Sequence, residues 1–222
     1  MARRTMATAL ATTAALLLTA CGGSETGSAD STDARDAGTS PSAPGSAEAA
    51  VGRPDAAGAP DVSAPRDLHQ VFDFDEPSEA KHAAALANAE NYIRALNHGF
   101  AEQDPNDPAY QYYSTGQAAR YAKTQIQAWV KGGWAPTGTD KYYDENVTTL
   151  SDGKRVLVTF CRDQAKFYGK EIKTGKILYT EDSLASYQKF TLLMFPPSAS
   201  ASAVWTTRVI EVRGEAKECR EA

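Results

Sequence analysis

Between Gly22 and Asp67 the chain has no aromatic residue and no leucine, isoleucine or methionine. A segment of Ala, Gly, Ser, Asp and Pro buries too little apolar surface to offset the entropy of ordering it. Residues 21–67 are therefore expected to form a disordered tether. As a random coil its roughly 45 residues span on the order of 35–40 Å. Lysine is absent before Lys81, and no Lys- or Arg-rich run occurs anywhere. The formal charge is −5, and −7 once the first twenty residues, with Arg3, Arg4 and no acid, are removed. Nucleic-acid binding requires a basic face that displaces counterions, so that class is excluded, and a polybasic membrane patch is not expected either. Only three histidines are present, His69, His82 and His98. His82 and His98 are sixteen positions apart on one predicted helix and point in nearly opposite directions, so they cannot share a metal. No Cys/His cluster has ligand spacing, and neither a metal nor a cofactor is expected. The GxSxG, P-loop and GxGxxG signatures are all missing.

What is present begins at the N-terminus. Arg3 and Arg4 form a positive n-region, and Met6 to Ala20 is an uncharged, mostly apolar run. A bilayer-spanning helix needs about 20 apolar residues, so this run fits a signal-peptide h-region instead. It ends in Leu18-Thr19-Ala20-Cys21, followed by Gly22-Gly23-Ser24. This resembles the bacterial lipobox, in which the cysteine thiol is acylated and becomes the mature N-terminus. Residues 1–20 are then a lipoprotein signal peptide. The resemblance implies that Cys21 is the lipidation (palmitate) site and that the protein is anchored to the extracytoplasmic face of the cell membrane.

The large apolar residues resume at Leu68, so 68–222 carries the core, a normal size for one domain. With Ser78 as N-cap, Glu79 to His98 reads as a helix ending at Gly99. Ala85, Leu86, Ala89, Tyr92, Ile93, Leu96 and Phe100 recur on one face, with Asn88, Glu90, Asn91, Arg94 and Asn97 opposite. Asp104 to Pro108 breaks the chain, and Ala109 to Ser114 fits one short turn. A second helix covers Thr115 to Lys131, with Ala118, Tyr121, Ala122, Ile126, Trp129 and Val130 inward, and stops at Gly132-Gly133. Strands follow at Tyr142–Leu150, Arg155–Cys161, Tyr187–Phe195 and Val204–Val212. A further hairpin turns at Lys173-Thr174-Gly175-Lys176. Helices first and an antiparallel sheet after them make the class α+β.

This order resembles the NTF2-like fold, the cystatin-like cone shared with ketosteroid isomerase and SnoaL-like cyclases. Cys161-Arg162-Asp163, the Lys173–Lys176 turn, the Trp205 strand and Cys219 resemble segments of actinobacterial lipoproteins. The resemblance implies N-terminal helices packed in a curved antiparallel sheet, with a pocket at the cone mouth. It implies no single activity, since the fold hosts enzymes, transport factors and scaffolds.

With Cys21 acylated, Cys161 and Cys219 remain as a pair in an oxidising compartment. A disulfide is expected; a reactive thiol is the alternative. Tyr112, Tyr113 and Tyr142 could line the mouth. Beside Asp104, Asp144 or Asp163, a tyrosine hydroxyl could form an oxyanion-hole or general-base pair. The competing explanation is plain amphipathic packing, with rings buried and hydroxyls wet. The predicted strand interiors, Val156, Val158, Phe160, Phe190, Leu192, Met194, Val209 and Ile210, contain no acid or histidine. The expectation is therefore a non-enzymatic domain that binds an envelope protein or a small apolar ligand. The alternative is a small isomerase, cyclase or dehydratase using a Tyr/Asp pair in the cone.

Overall fold

A computed structural model describes residues 58–199 and 202–221. The signal region, Cys21 and most of the tether lie outside these residues. Strand β1 (Leu68–Asp73) leads into helix α1 (Ala80–Glu102), then α2 (Pro108–Tyr113) and α3 (Gly116–Gly132). The sheet continues with β2 (Trp134–Thr149), β3 (Val156–Asp163), β4 (Phe167–Glu171), β5 (Ile177–Leu178), β6 (Tyr187–Phe195) and β7 (Thr206–Gly214), and α4 (Lys217–Arg220) closes the chain. The strand order is β5-β4-β2-β3-β6-β7, with β1 added parallel to β2 and every other pairing antiparallel. Helices packed in a curved, mainly antiparallel sheet make the domain α+β, in the element order that the NTF2-like resemblance implies.

Helix α1 supplies the centre of the core. All seven residues of its expected apolar face are buried. They meet Val156, Val158, Phe160, Phe190, Leu192, Met194 and Ile210 of the sheet in one cluster. Each such side chain contributes about 1.5–3 kcal/mol by leaving water. Val209 departs from expectation and is 45% exposed. Neighbouring strand residues point to opposite faces, so Val209 and Ile210 cannot both turn inward.

Several boundaries differ from the sequence reading. Helix α1 runs through Gly99 to Glu102, and Gln103 takes the left-handed cap (φ 57°). Gly99 instead marks a close helix–helix approach: a Cβ there would lie 2.5 Å from Cδ1 of the fully buried Ile126. Glu79, not Ser78, is the N-cap, and it makes no side-chain cap bond. Asp107 caps α2 by accepting from the Ala109 amide at 2.6 Å. Strand β2 begins eight residues before the expected Tyr142, and β1 and α4 add to the expected elements.

Gly138 explains how so long a β2 is possible. Residues 134–138 of β2 pair with β4, whereas 141–149 pair with β3. At the change-over Gly138 has φ 93°, and a Cβ would stand 2.0 Å from the Lys166 carbonyl oxygen. No side chain fits against that backbone. Gly138→Ala is expected to cost about 2–3 kcal/mol. Thermal unfolding of the variant checks this; a Tm within about 2 °C of the parent would contradict it, given about 2–4 °C per kcal/mol for domains of 150–250 residues.

The outer face of the sheet holds a second, smaller core. Cys161, Ala216 and Cys219 are buried there, with Tyr143 and Tyr187 packed against them. Cys161 and Cys219 form a disulfide with their Cα atoms 5.3 Å apart. The Tyr143 hydroxyl donates to the Cys219 carbonyl. The bridge thus fastens α4 to the convex side of β3, away from the helices.

A closed polar cluster on the inner face

Extending β2 back to Trp134 changes the inventory of the interior. Asp140 and Tyr142 are two positions apart and share the inner face, where both are buried (0% and 2% exposed). Arg162 lies opposite Tyr142 in the β2–β3 register. Its guanidinium grips Asp140 with two bonds, Nε to Oδ1 at 2.6 Å and Nη2 to Oδ2 at 2.9 Å. The Tyr142 hydroxyl donates to Asp140 Oδ2 at 2.6 Å, and Asn97 of α1 donates to the same oxygen at 3.3 Å. The remaining Arg162 nitrogen, Nη1, donates to Gln188 Oε1 of β6 at 3.2 Å. The Arg162 guanidinium stacks over Phe167 at 4.7 Å, and its side chain is 12% exposed.

The electrostatics follow from this geometry. Burial by itself favours a neutral arginine, yet the touching carboxylate outweighs it and Arg162 holds its proton above the ordinary guanidinium range. Burial raises the Tyr142 phenol well above its ordinary value. The Arg162 charge opposes that rise, and the Asp140 charge adds to it. Tyr142 is therefore a neutral donor. Asp140 receives four donated hydrogen bonds, two of them from a cation, which fill the approximate capacity of a carboxylate. Such a group is poorly suited to take a proton from a substrate.

Three expectations are corrected here. The strand interior does contain an acid, Asp140, and it pairs with an arginine. Asn97, expected on the outer side of α1, is 2% exposed because it turns to Asp140. The tyrosine partner of the buried acid is Tyr142, but the acid is none of Asp104, Asp144 or Asp163. Asp104 is exposed in the α1–α2 loop and accepts from the Asn106 amide at 2.8 Å. Asp144 sits at the irregularity in β2, at φ 54°, and pairs with Lys189 at 3.2 Å. Asp163 ends β3 and accepts from the Ala165 amide at 2.8 Å. Tyr113 is buried in the core, with Tyr112 edge-on to it at 4.9 Å. The structure thus brings none of the three acids together with the three tyrosines.

One further acid–histidine pair goes beyond the sequence reading. His98 Nδ1 lies 2.8 Å from Asp107 Oδ2, the carboxylate that caps α2. The Asp107 side chain is 3% exposed and that of His98 18%. With one oxygen on a helix cap and the other on a ring, this pair fixes the α1–α2 corner. Among the described residues, no group of three or more His, Cys, Asp or Glu is placed to hold a metal ion.

No family model matches the chain, and no curated protein matches it. Solved structures with related shape do exist, all at low identity. Aln2 from a Streptomyces species is 10% identical with a TM-score of 0.39, over 62% of this chain and 95% of that one. A protein described as a scytalone dehydratase, from Novosphingobium aromaticivorans, is 9% identical with a TM-score of 0.39, over 60% and 86%. The intermembrane-space region of the chloroplast protein ARC6 is 12% identical with a TM-score of 0.34, over 57% and 94%. At these values the likenesses carry no inference about chemistry.

Proposed function

We propose that this chain is a lipid-anchored extracytoplasmic protein whose C-terminal domain binds an envelope partner at its outer surface and does not catalyse. The observation that carries the reading is the closed ring of donors around Asp140. The one buried carboxylate on the inner face of the described sheet is saturated by Arg162, Tyr142 and Asn97. Around it Phe160 stacks on Phe190 at 5.3 Å and Phe72 on Tyr142 at 4.8 Å. These rings and the α1 side chains are packed in one buried cluster, which favours a protein partner over a small molecule.

The anchor is tested separately. Cys21→Ser is expected to move the protein from the membrane fraction to the medium, or to stall its processing. Retention of the mature variant in the membrane fraction after a high-salt wash, which strips electrostatic surface contacts, would contradict acylation at Cys21.

A second reading keeps the Tyr142–Asp140 pair as the working pair of a small isomerase, cyclase or dehydratase. The 2.6 Å bond between them favours it. Arg162 weighs against it, because its two bonds, with those of Tyr142 and Asn97, fill the acceptor sites of the carboxylate.

A further inference from the structure

At one end of the sheet the last turn of α3, the start of β2 and the β4–β5 turn converge. Trp134 lies opposite Glu171 in the β2–β4 register. The Ile172 amide donates to the Gly133 carbonyl at 2.9 Å, which ties the turn to the end of α3. Gln103, just past α1, donates to the Trp134 carbonyl at 2.8 Å. Two large apolar side chains stand out at this tip, Ile172 at 50% and Trp134 at 38% exposure. Lys131, Lys173 and Lys176 lie within four residues of one or the other in sequence, all exposed and with no ion pair among the described residues. Of the acids at this end, Glu171 accepts from the Thr174 hydroxyl at 2.6 Å, Asp67 pairs with Lys170, and Glu102 ends α1 beside Gln103. A chain that is net negative overall thus concentrates unpaired positive charge around its exposed Trp–Ile pair.

The chain that leads to the lipid anchor joins the domain at the same end. β1 is parallel to β2, and its first residue, Leu68, pairs with Gly138 near the β2 start. The residue before it, Asp67, binds Lys170 of β4, and its carbonyl accepts from Gly138 at 2.8 Å.

We propose that this tip docks on the anionic lipid surface of the bilayer, with Trp134 and Ile172 entering the headgroup layer and Lys131, Lys173 and Lys176 facing lipid phosphates. Tryptophan suits that boundary because its ring is apolar and its N–H is polar. Each lysine near an anionic surface strengthens binding about fivefold, and raised salt weakens it. Docking would turn a tethered domain into an oriented one. Only the nearness of a membrane rests on the anchor reading; the contact itself does not.

The test uses the chain from residue 21 onward carrying Cys21→Ser, so neither an acyl group nor the apolar run of residues 6–20 contributes. It is sedimented with vesicles of phosphatidylcholine containing about a third phosphatidylglycerol, and with phosphatidylcholine alone. The expected result is binding to the anionic vesicles that falls at least tenfold in Lys173→Glu/Lys176→Glu and in Ile172→Glu, with circular dichroism and Tm unchanged. These substitutions lie in an exposed turn, so folding is preserved; Trp134 packs on Gly132 and is left in place. Equal affinity for both vesicle types, or unchanged binding by either variant, would overturn the proposal. Equal binding to soluble polyphosphate, insensitive to Ile172→Glu, would overturn it as well, since that marks phosphate recognition without a bilayer.

Discussion

Arg162→Met is expected to destabilise the domain by about 3–5 kcal/mol, the usual cost of removing one partner of a buried ion pair. The substitution leaves Asp140, which is fully buried, with only Tyr142 and Asn97 as donors. At about 2–4 °C per kcal/mol this corresponds to a fall in Tm of roughly 6–20 °C. Asp140→Leu/Arg162→Met should recover most of the loss, because an apolar pair of similar volume needs no counter-charge. Recovery in the double variant identifies the pair as structural. A single variant with unchanged Tm would mean that Arg162 reaches solvent and that the cluster is open.

Loss of the disulfide is the second large effect. Cys161 and Cys219 are separated by 58 residues in sequence. For a loop of that length the chain-entropy model gives about 4 kcal/mol. Cys161→Ala/Cys219→Ala is therefore expected to unfold roughly 10–15 °C lower than the parent. Both sulfurs lie in the small outer core, whose buried members are these cysteines and Ala216. Without the bond, α4 has little else to hold it, and hydrogen exchange there should rise before it rises in α1 or β3. A loss below about 1 kcal/mol, a quarter of the chain-entropy figure, would show that α4 docks through its packing, the Tyr143–Cys219 hydrogen bond and the Arg213–Glu218 pair.

Most of the scaffold is legible in the sequence because period and punctuation agree. The apolar stripe of α1, the Gly132-Gly133 stop of α3 and the alternation from Tyr187 to Phe195 each leave one structural solution. The pieces that are not legible share a cause. Pro136 and Gly138 look like loop signals, so residues 134–141 are not expected in a strand. Yet Pro136 stands opposite Gly169, and the φ of Gly138 suits a strand that changes partners. With β2 starting at Tyr142, Asp140 falls outside the interior. Arg162 is visible only as part of a motif. Continuing the alternation from Val156, Val158 and Phe160 by one more step places Arg162 inward, and that step exposes the pair. The side of α1 on which Asn97 lies is decided by a partner 43 residues away, which helical periodicity does not encode. β1 escapes the sequence reading because it is short and its partner is β2, beyond three helices.

The central claim is that the inner face of the sheet is filled, and that the domain acts through its outside. Xenon at pressure reports this most directly, since it is neutral, apolar and enters dry cavities without needing a polar partner. Crystals of the domain exposed to xenon should show no ordered atom between α1 and strands β2, β3 and β6. A well-occupied xenon site bordered by Tyr92, Phe160 and Phe190, within reach of Tyr142 and Asp140, would contradict the account and point to a ligand-holding cone.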